Sequence, residues 1–568
     1  MTCTKFKLTT VAALVFAATN ANAALYTIIE VDSPVSGNEV HGVAIQDSSN
    51  STLGTLGCFD ENATASECDG YLLAGEARQG VEGLSHREEV PFGSDNAFYY
   101  AQTDDGSDYF RSYCRDYLGY DNCDTSGGWG DQYWYAYERE RNGQSNFKAF
   151  VEGSTGQIEP SGLNTVINSL DSNAQAIGNR STSVVERNQA FPSVTVGGDV
   201  TSTPVQSRAW ATDGVYTVGS VSTARSNENE GSTPFNTYNS KAAIWDSSYT
   251  QLLDWDSKAK EEEDELLAQG SLRDFAVDGT KIYAVGYNTY DDQHMNATVY
   301  ISDTNALPAS WTKRVIDGSQ VGDDDTYANS TGSSINKHLN IVGQAKLYNK
   351  SNAENGAFPD KLFVSTYEGN DTWSRAKFLN DGSQSIFFNG AGGKIGRINN
   401  FNEIVGQIDS ETIRESGGKQ RRHRGFIYPY QATGTEASRA SLFNNKAWWL
   451  DDLTNDGNAS GNNNKYRIID ASDINDAGVI SATAIRCTVN GSARPYDTTA
   501  HNSYCNDAES SSTTEEIVAV KLIPKQGSDA SNIQARGMDE HKVDRQGGSL
   551  GWLALTVLGL LGFRRKFK

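Results

Sequence analysis

The sequence predicts an all-β fold, most simply a β-propeller of about seven blades, and three observations support this prediction. A unit of strands joined by an Asn-rich turn recurs along the chain and is clearest in Gly393–Tyr430. The 568 residues include 54 glycines and few stretches of helical periodicity. Strand-like runs near the two ends, Leu25–Val31 and Glu516–Ile523, can pair and close a ring without exposed sheet edges. Six to eight blades fit the copies, and an array of β-sandwich-like repeats is the alternative.

Each part of this unit has a physical role. Asn399–Asn402 forms a turn, because asparagine tolerates a positive φ and bonds to its own backbone. Ile404 and Val405 form a buried strand, and Gly406 is expected to let the chain turn away without a Cβ clash. Arg424–Tyr428 is the returning strand. An antiparallel module of this kind cannot bury its own face, so it needs neighbouring copies.

Degenerate copies of the unit occupy most of residues 40–490. The front half of each copy ends at a glycine, except in the last copy, where a serine replaces it. These residues are Gly75, Gly178, Gly219, Gly286, Gly343, Gly406 and Ser481. The expected returning strands of the others are Asn96–Tyr100, Gln189–Phe191, Lys241–Trp245, Ala297–Tyr300 and Gly356–Phe358, and Lys446–Leu450 is a further one. Glu39–Gly42 is a weaker copy. One segment, Asp256–Gln269, predicts a short helix that ends at Gly270.

This pattern resembles the HAF-type extracellular repeat, whose unit reads roughly Ile-Asn-x-x-Gly-x-Val-Val-Gly-x-Ser, a loop, and Ala-Phe-Leu-Trp. The Leu-Gly-Thr-Leu-Gly element of that repeat also occurs here, as Leu53–Gly57. With its two ends, the chain resembles the secreted proteins of marine gammaproteobacteria grouped as DUF3466. No reaction is known for that group, so the resemblance implies an architecture and a cellular address.

The N-terminus predicts export. Residues 1–23 combine lysines, an apolar run and the small-residue site Ala21-Asn22-Ala23, which is typical of a secretory signal peptide. Signal peptidase would cleave after Ala23, leaving residues 24–524 as the repeat domain. Residues 525–546 are polar and without periodicity, and they predict a linker.

The C-terminal tail, residues 547–568, is the most specific signal. Gly547 and Gly548 precede the apolar run Leu550–Phe563 and a basic end. At 1.5 Å per residue this run reaches roughly 21 Å, a short transmembrane helix. The tail resembles the GlyGly-CTERM sorting signal, which implies cleavage by a rhombosortase-like protease near the glycine pair and transport by type II secretion. The precursor would be held in the inner membrane, and the product would lie at the cell surface or in the medium; a plain anchor is the alternative.

Six cysteines remain after removal of the signal peptide, an even number that suits an oxidising compartment. Fifteen pairings are formally possible, but proximity in sequence favours three local disulfides: Cys58 with Cys68, Cys114 with Cys123, and Cys487 with Cys505. The cysteines show no zinc-ligand spacing, so no zinc site is predicted.

An insertion at residues 99–140 is dense in tyrosine and tryptophan. Such side chains beside acidic residues suit stacking on sugar rings or contact with a protein partner. The expected ligand contacts are Trp129, Tyr133, Trp134 and Tyr135. An extra blade or a cap that packs on the array is the structural alternative.

Charge excludes some partners. The formal net charge of −24 disfavours nucleic acids and anionic membrane surfaces. The basic loop Lys419–Arg424 is an exception on this acidic chain: it suits either an anionic polysaccharide or pairing with neighbouring carboxylates, and the second interpretation is preferred.

The search for catalytic and metal motifs gives one weak match. Asp452, Thr454 and Asp456 have the alternating oxygens of a calcium loop, but Asn463 stands where a bidentate glutamate is needed. No catalytic residue and no cofactor is predicted, although catalytic groups can assemble from distant residues. Two function classes therefore remain: a secreted β-repeat protein that binds a glycan or a protein, and a secreted hydrolase. A purely structural surface protein is a third.

Overall fold

The computed structural model describes most of the chain between Ala24 and Arg536 as an all-β ring. The described residues are 24–79, 111, 139, 142–159, 161–181, 188–204, 206–230, 233–263, 266–320, 327–347, 354, 359–380, 382–412, 421–431, 436–457, 463–490, 492–493 and 513–536. Within them, seven small antiparallel sheets form the blades of the ring.

Blades 1 to 3 follow one another along the chain. Blade 1 contains β2 (Glu39–Ile45), β3 (Leu73–Arg78) and β4 (Phe147–Val151). Blade 2 contains β5 (Thr165–Leu170), β6 (Ala176–Arg180) and β7 (Gln189–Phe191). Blade 3 contains β8 (Ser207–Thr212), β9 (Thr217–Glu230), β10 (Thr233–Trp245) and β11 (Thr250–Leu253).

Blades 4 to 6 each have four strands. Blade 4 contains β14 (Gly270–Asp278), β15 (Lys281–Thr289), β16 (Met295–Ser302) and β17 (Trp311–Val315). Blade 5 contains β18 (Tyr327–Ile335), β19 (Ile341–Leu347), β20 (Asp360–Ser365) and β23 (Lys377–Phe378). Blade 6 contains β24 (Gly393–Ile398), β25 (Glu403–Asp409), β26 (His423–Pro429) and β27 (Trp448–Trp449).

Blade 7 joins the two ends of the domain. Its strands are β28 (Tyr466–Ile474), β29 (Ile480–Val489), β31 (Thr513–Pro524) and the N-terminal β1 (Tyr26–Glu30), with the short β30 (Ser492–Ala493) beside β29. Tyr26–Glu30 pairs with Val520–Pro524, so the predicted closure by the terminal strands is confirmed.

A few short elements lie outside the blades. Two hairpins are formed by β12 (Glu262–Glu263) with β13 (Leu266–Leu267) and by β21 (Tyr367–Gly369) with β22 (Thr372–Trp373). The α-helices are α1 (Ala65–Asp69), α2 (Glu436–Leu442) and α3 (Leu450–Thr454). Among the described residues, 3₁₀ turns lie at Gly57–Phe59, Asp291–Gln293 and Ala530–Asn532.

The first strand of each blade is the innermost. These strands contact one another in sequence around the ring, and β28 of blade 7 contacts β2 of blade 1. The predicted propeller of about seven blades is therefore confirmed, and the alternative of a β-sandwich array is excluded. Because blades cover both faces of their neighbours, adjacent residues such as Ile404 and Val405 are both fully buried.

The two faces of the ring differ in their connections. Because successive strands are antiparallel, the links between first and second strands meet at one face, and those between second and third strands meet at the other. In blades 2 to 7 the links between the first and second strands are tight turns, such as the one between Ile398 and Glu403. The longest link between a second and a third strand joins Arg78 to Phe147. We call the two sides the turn face and the loop face.

The repeated glycine and phenylalanine are cross-strand partners. Gly343 pairs with Phe363, and Gly406 with Phe426. A Cβ added at Gly343 would lie 2.2 Å from the carbonyl oxygen of Thr331 and 2.5 Å from the ring of Phe363. Gly406 was expected to let the chain turn away, which is wrong, because it lies inside β25. The glycine is needed because the inner strand and the aromatic ring approach it closely.

Asparagine side chains link the blades at the turn face. Asn336 Nδ2 donates to the carbonyl oxygen of Asn399 at 3.0 Å, and Asn399 Nδ2 donates to that of Asn475 at 3.2 Å. Asn475 Nδ2 donates to the carbonyl oxygen of Gln46 at 3.0 Å, and Gln46 Nε2 donates to that of Ser172 at 2.8 Å. The chain of bonds runs from blade 5 through blades 6, 7 and 1 to blade 2. The turn asparagines are therefore structural.

A buried ion pair fixes α2 on the turn face. Arg439 donates to both carboxylate oxygens of Glu403, at 3.0 Å and 2.7 Å, and both side chains are fully buried. It also donates to the carbonyl oxygen of Asp476 at 3.0 Å and lies over the rings of Phe401 and Phe59, at 4.6 Å and 5.3 Å from their centroids. The pair thus joins blades 6 and 7 to the loop that follows β2.

One predicted disulfide is present in that loop. Cys58 and Cys68 are bonded with an S–S distance of 2.03 Å. In the chain-entropy model, closing a loop of this size contributes about 3 kcal/mol. Cys487 is also disulfide-bonded, and its expected partner, Cys505, lies outside the described residues. The predicted pair of Cys114 and Cys123 lies outside them as well.

Two returning strands were placed wrongly from sequence. Asn96–Tyr100 was expected to pair with the strand that ends near Gly75, but β3 pairs with Phe147–Val151. Gly356–Phe358 was expected to return in blade 5, but β19 pairs with Asp360–Ser365. In both cases the correct strand is the one whose phenylalanine packs over the glycine. The connection between β3 and β4 of blade 1 consequently runs from 79 to 146.

The helix predicted at Asp256–Gln269 is also wrong. Glu262–Glu263 pairs with Leu266–Leu267 in the β12–β13 hairpin, which is closed by the bond from the N–H of Ala268 to the carbonyl oxygen of Glu261 at 3.0 Å. Asn239 Nδ2 donates to that same oxygen at 2.7 Å and holds the hairpin against blade 3. These bonds outweigh the helical preference of the acidic run.

The first part of the predicted linker packs against blade 7. The N–H of Ala24 donates to the carbonyl oxygen of Asn532 at 2.9 Å, and the N–H of Arg536 donates to Asp452 Oδ1 at 2.7 Å. Residues 537–546, the predicted signal peptide and the sorting tail with Leu550–Phe563 lie outside the described residues. Among the helices that the structure describes, none is long and apolar enough to cross a membrane.

Candidate functional site

The seven inner strands each contain a β-bulge at the same level of the central channel. At this level one residue of each strand is skipped in the pairing, and a bulge of this kind re-aims a side chain. We call the skipped residues the bulge ring: Val43, Asn168, Trp210, Arg273, Ser333, Gly396 and Ser472.

Most of the bulge ring faces the central channel. Several members are half-buried although both chain neighbours of each are buried: Asn168, Trp210, Arg273, Ser333 and Ser472. Inside a closed ring, solvent can reach such positions only along the channel. The bulge ring therefore lines it.

The bulge ring is asymmetric. Blades 2, 3 and 4 contribute the amide of Asn168, the indole of Trp210 and the guanidinium of Arg273. The members from blades 5, 6, 7 and 1 are small: Ser333, Gly396, Ser472 and Val43. Large polar and aromatic groups on one wall thus oppose small residues on the other.

Arg273 and Trp210 form a stacked pair. The Arg273 Cζ lies 3.7 Å from the centroid of the Trp210 ring and 5.4 Å from that of Tyr287. A guanidinium over an indole is attracted by the negative face of the ring, and the contact restricts its rotation. The buried indole N–H of Trp210 has no hydrogen-bond partner among the described residues.

A second guanidinium lies behind this pair. Arg208 is buried, and its Nε and Nη2 both donate to Asn188 Oδ1 at 3.2 Å. Burial and, to a smaller degree, the charge of Arg273 lower the pKa of Arg208 to about 9. The two cations therefore lie close enough to repel each other. Asn168 completes this wall, with its Nδ2 donating to the carbonyl oxygen of Ala209 at 2.7 Å.

The next level of the channel, towards the turn face, is held by carboxylates. Asp274 accepts from Ser334 Oγ at 2.7 Å and from the N–H of Ile335 at 3.1 Å, which connects blades 4 and 5. Asp473 connects blades 7 and 1 in the same way, because it accepts from the N–H of Ile45 at 3.0 Å. These carboxylates therefore join neighbouring blades by hydrogen bonds.

The positive charge of Arg397 at this level is neutralised by a neighbouring carboxylate. Arg397 Nη1 lies 3.5 Å from Asp473 Oδ1, and the side chain is 31% exposed, to the channel. Burial opposes the charge of Arg397, but the carboxylates of Asp473 and Asp274 outweigh this effect and raise its pKa. Burial in turn raises the pKa of Asp473 despite the charge of Arg397.

The residues predicted as ligand contacts, Trp129, Tyr133, Trp134 and Tyr135, lie outside the described residues. The ends of their segment are anchored at the loop face: the N–H of Gln79 donates to the carbonyl oxygen of Asn146 at 2.7 Å.

The basic loop is paired where it is described. Arg421 lies 3.1 Å from Asp409, Arg422 lies 3.4 Å from Glu411, and Arg424 lies 3.2 Å from Asp451. The preferred interpretation, pairing with neighbouring carboxylates, agrees with these distances.

The three calcium candidates do not form an open loop. Asp452 and Thr454 belong to the helix α3, and Asp456 follows it. Thr454 Oγ1 donates to the carbonyl oxygen of Leu450 at 3.0 Å. Asn463 Nδ2 donates to the carbonyl oxygens of Tyr26 and Thr454, at 3.1 Å and 3.0 Å. Across the described part of the chain, no group of three or more His, Cys, Asp or Glu side chains is arranged to hold a metal ion.

The bulge ring was missed by sequence reasoning. Its residues lie three positions before the turn residue in most repeats, as Trp210 does before Asp213 and Ser333 before Asn336. Alignment of the repeats on that turn residue would have placed Asn168 and Trp210 at equivalent positions, but not Arg273, which lies five positions before its turn residue Asp278.

Together, the closed ring of seven blades and its solvated, asymmetric channel define a β-propeller with a polar and aromatic inner wall. The chain belongs to the family described as "Protein of unknown function (DUF3466)", whose model matches residues 220–566. The match begins in β9 and covers blades 4 to 6 in full and every strand of blade 7 except β1. No curated protein matches the chain.

Proposed function

We propose that this protein is a secreted or surface-exposed propeller that binds a glycan or a protein through its loop face. The proposal rests on the way in which the connections between strands are distributed over the two faces. Bonded turns and a buried ion pair occupy the turn face, whereas the longest connection, from Arg78 to Phe147, opens at the loop face. Long connections on a rigid scaffold are where binding residues concentrate.

The blade 1 insertion stands on a rigid base. Asn164 Oδ1 accepts from the N–H of Asn146 at 2.7 Å, and Gln79 Nε2 donates to the carbonyl oxygen of Ser36 at 2.6 Å. Both ends of the connection are therefore tied to blade 1 and to the neighbouring inner strand. Aromatic side chains presented from such a base lose little entropy when they bind.

Deletion of residues 99–140 tests the proposal. The deletion removes Cys114 and Cys123 together, so it leaves no unpaired cysteine from that predicted disulfide. We expect saturable binding on a glycan array, or capture of a partner from the native culture, to be lost while thermal unfolding changes little. Unchanged binding by the deleted protein would contradict the assignment of this segment.

A second loop-face variant serves as the control. Replacing residues 226–237 with Asn-Gly shortens the β9–β10 hairpin at the paired residues Arg225 and Tyr238. This variant should bind as the wild-type protein does. Equal losses in both variants would indicate a general effect of altering the loop face.

The alternative function is a secreted hydrolase exported by type II secretion. Incubation with polysaccharide, peptide and ester panels distinguishes the two classes. Turnover that a single carboxylate or serine substitution abolishes would replace the binding proposal with the enzymatic one.

We also propose export through the periplasm, followed by exposure at the cell surface or release. The signal peptide, the sorting tail and the Cys58–Cys68 disulfide support this address. Signal peptidase would act after Ala23, and a rhombosortase-like protease near Gly547 and Gly548. Intact-mass analysis of cells and medium should find a product that begins at Ala24 and ends near the glycine pair. A full-length C-terminus kept in membranes would contradict the sorting step.

A further inference from the structure

Blade 1 differs from the other six blades in the link between its first and second strands. This link, residues 46–72, contains the disulfide between Cys58 and Cys68, and we call it the clasp. It packs against the seam of the ring, by which we mean β1, β31 and residues 525–528. We infer that the clasp is a redox-controlled lock: the seam is held shut while the two sulfurs are bonded and opens far more often once they are reduced. This coupling does not depend on the ligand of the proposed function.

The clasp holds β31 through a buried lysine. Lys521 Nζ donates to the carbonyl oxygens of Asp69 and Tyr71, at 3.0 Å and 2.8 Å. Both acceptors follow Cys68 closely, and Asp69 is the last residue of α1. The ammonium also pairs at 2.8 Å with Glu152, which comes directly after β4 of blade 1. A buried ammonium needs its oxygen acceptors, so displacement of α1 would destabilise β31.

The other half of the clasp contacts the N-terminal strand and the segment after β31. The N–H of Cys58 donates to the carbonyl oxygen of Ala477 in the blade 7 turn at 2.9 Å. The ring of Phe59 is buried and lies edge to face with that of Tyr26 in β1, with 5.4 Å between centroids. The carbonyl oxygen of Phe59 accepts from the N–H of Gly527 at 2.9 Å. The two ends of the domain therefore meet on the residue beside Cys58.

The disulfide itself lies in the core of the seam. Cys58 and Cys68 are buried in one cluster with Ala519 and Ile523 of β31 and with Val479, which precedes β29. The bond ties the 3₁₀ turn that contacts β1 to the helix α1 that holds β31. Reduction removes this tie, and each half then keeps its place only through its own non-covalent contacts. The disulfide is thus placed to couple the two strands that close the ring.

The effect of the disulfide is expected to be local. Proteins open in cooperative units smaller than the whole fold. In the chain-entropy model, a cross-link that closes a loop of this size favours the closed state by a factor of about a hundred. The contacts described above run to blade 7 and to the two ends of the domain, so this factor should apply to opening of the seam and not to a distant blade such as blade 4.

Formation of the lock is a two-electron oxidation. The thiolate of one cysteine attacks the disulfide of a thiol–disulfide oxidoreductase, which forms a mixed disulfide and releases one thiol of the oxidant. The thiolate of the second cysteine then displaces the other oxidant sulfur, so the Cys58–Cys68 bond forms and the oxidant leaves as a dithiol that has taken up both protons. On the proposed export route this oxidant is met only outside the reducing cytoplasm, so the ring would lock after export.

Hydrogen exchange of the purified protein, measured by mass spectrometry, tests the inference. Peptides that cover Tyr26–Glu30 and residues 518–524 report on the seam, and a peptide that covers Lys281–Thr289 reports on blade 4. In the Cys58→Ser/Cys68→Ser variant we expect exchange at the seam to be about a hundredfold faster than in the wild-type protein, with a change of less than about threefold in blade 4. Equal acceleration in both places, or an unchanged seam, would overturn the inference.

A matched control removes a different disulfide of blade 7. Cys487 in β29 is also disulfide-bonded, and Cys505 is its expected partner. In the Cys487→Ser/Cys505→Ser variant, exchange of Tyr26–Glu30 should stay within about threefold of the wild-type rate. An acceleration as large as that of the clasp variant would mean that the seam responds to the loss of any disulfide, and it would overturn the inference.

Reduction provides a second measurement if the clasp variant does not fold. The folded Cys487→Ser/Cys505→Ser protein is treated with a phosphine and compared with the untreated sample, so the bond at Cys487 cannot contribute. The same acceleration, confined to the seam, is expected, and its absence after complete reduction of Cys58 and Cys68 would contradict the inference. Neither measurement involves a ligand, so failure of the lock would leave the proposed binding function to its own test.

Discussion

The turn face and the loop face are built from the same seven blades but by different interactions. At the turn face, side chains reach from blade to blade: Asn336 bonds to Asn399, Asn399 bonds to Asn475, and Arg439 pairs with Glu403. At the loop face, connections of very different length join the second and third strands. The repeat thus keeps a fixed structural role at one face and leaves the other free to vary.

The difference shows how a degenerate repeat can be stable without being uniform. The residues that recur most clearly in the sequence, the turn asparagine and the strand glycine, lie where blades contact one another or where strands pass closest. The residues of the bulge ring vary from blade to blade, as Gly396 and Trp210 do. Variation at one level of an otherwise repeated channel allows a site of low symmetry on a repeated scaffold.

The largest effect is expected from breaking the buried ion pair of the turn face. Arg439→Ala leaves Glu403 buried without its cation and should lower the free energy of unfolding by about 3–5 kcal/mol. Urea unfolding measures the loss. The loop-face control is Lys258→Ala, which breaks an exposed pair with Asp291 and should change the free energy of unfolding far less. Equal losses would contradict the proposed difference between the faces.

A somewhat smaller effect is expected from a methyl group at the strand glycine. Gly343→Ala places a Cβ against the Thr331 carbonyl oxygen and the Phe363 ring, and overpacking of this kind costs about 1–3 kcal/mol. Gly54→Ala is the matched control, because no atom lies within 4 Å of an added Cβ there. Thermal unfolding of both variants is the measurement. If the Gly343→Ala protein were as stable as the Gly54→Ala protein, the inner strand would have to shift at little cost to make room for the added methyl group.

The smallest effect, of about 1 kcal/mol, concerns a clamp between blades 4 and 5. The bond from Lys281 and, next, the bond from Tyr283 lower the pKa of Asp371 from its ordinary value of 3.8. The folded state therefore binds fewer protons than the unfolded state as the pH falls below about 4. The clamp stabilises fully above that pH, and its contribution disappears as the pH falls through the lowered pKa.

The variant Asp371→Asn should be less stable than the wild-type protein at pH 7, and the difference should vanish at low pH. Unfolding curves between pH 2.5 and 7 measure it. Asp317→Asn removes the partner of Arg375 in an exposed pair and serves as the control, with little change at any pH. A constant deficit of the Asp371 variant across this range would contradict the titration argument.

Much of the architecture could be predicted from sequence because it follows from local chemistry. The preference of asparagine for turns predicts the turn at Asn399, and the strand-like sequences near the two ends predict the closure of the ring. The returning strands of blades 1 and 5 could not be placed correctly, since any Ala-Phe or Gly-Phe pair matches the motif. The Gly343–Phe363 contact distinguishes them only in three dimensions. The helix expected at Asp256–Gln269 failed because bonds to blade 3, including one from Asn239, override propensity.

The candidate site was less accessible to sequence reasoning than the fold. Asn168, Trp210 and Arg273 come from three different repeats, and the stacking of Arg273 on Trp210 depends on ring closure and on the bulges. Nothing in the local sequence of any one of them indicates a channel. The aromatic insertion, by contrast, stands out in composition alone.

The division of roles between the two faces is tested by comparing stability and binding in one variant from each face. Asn399→Ala removes inter-blade and turn bonds at the turn face, and deletion of residues 99–140 alters the loop face. Binding to the ligand found by array or pull-down is measured at 10 °C, where both proteins are folded, and thermal unfolding is measured in parallel. We expect Asn399→Ala to bind normally but to unfold at lower temperature, and the deletion to unfold normally but not to bind. The reverse pattern would contradict this division of roles.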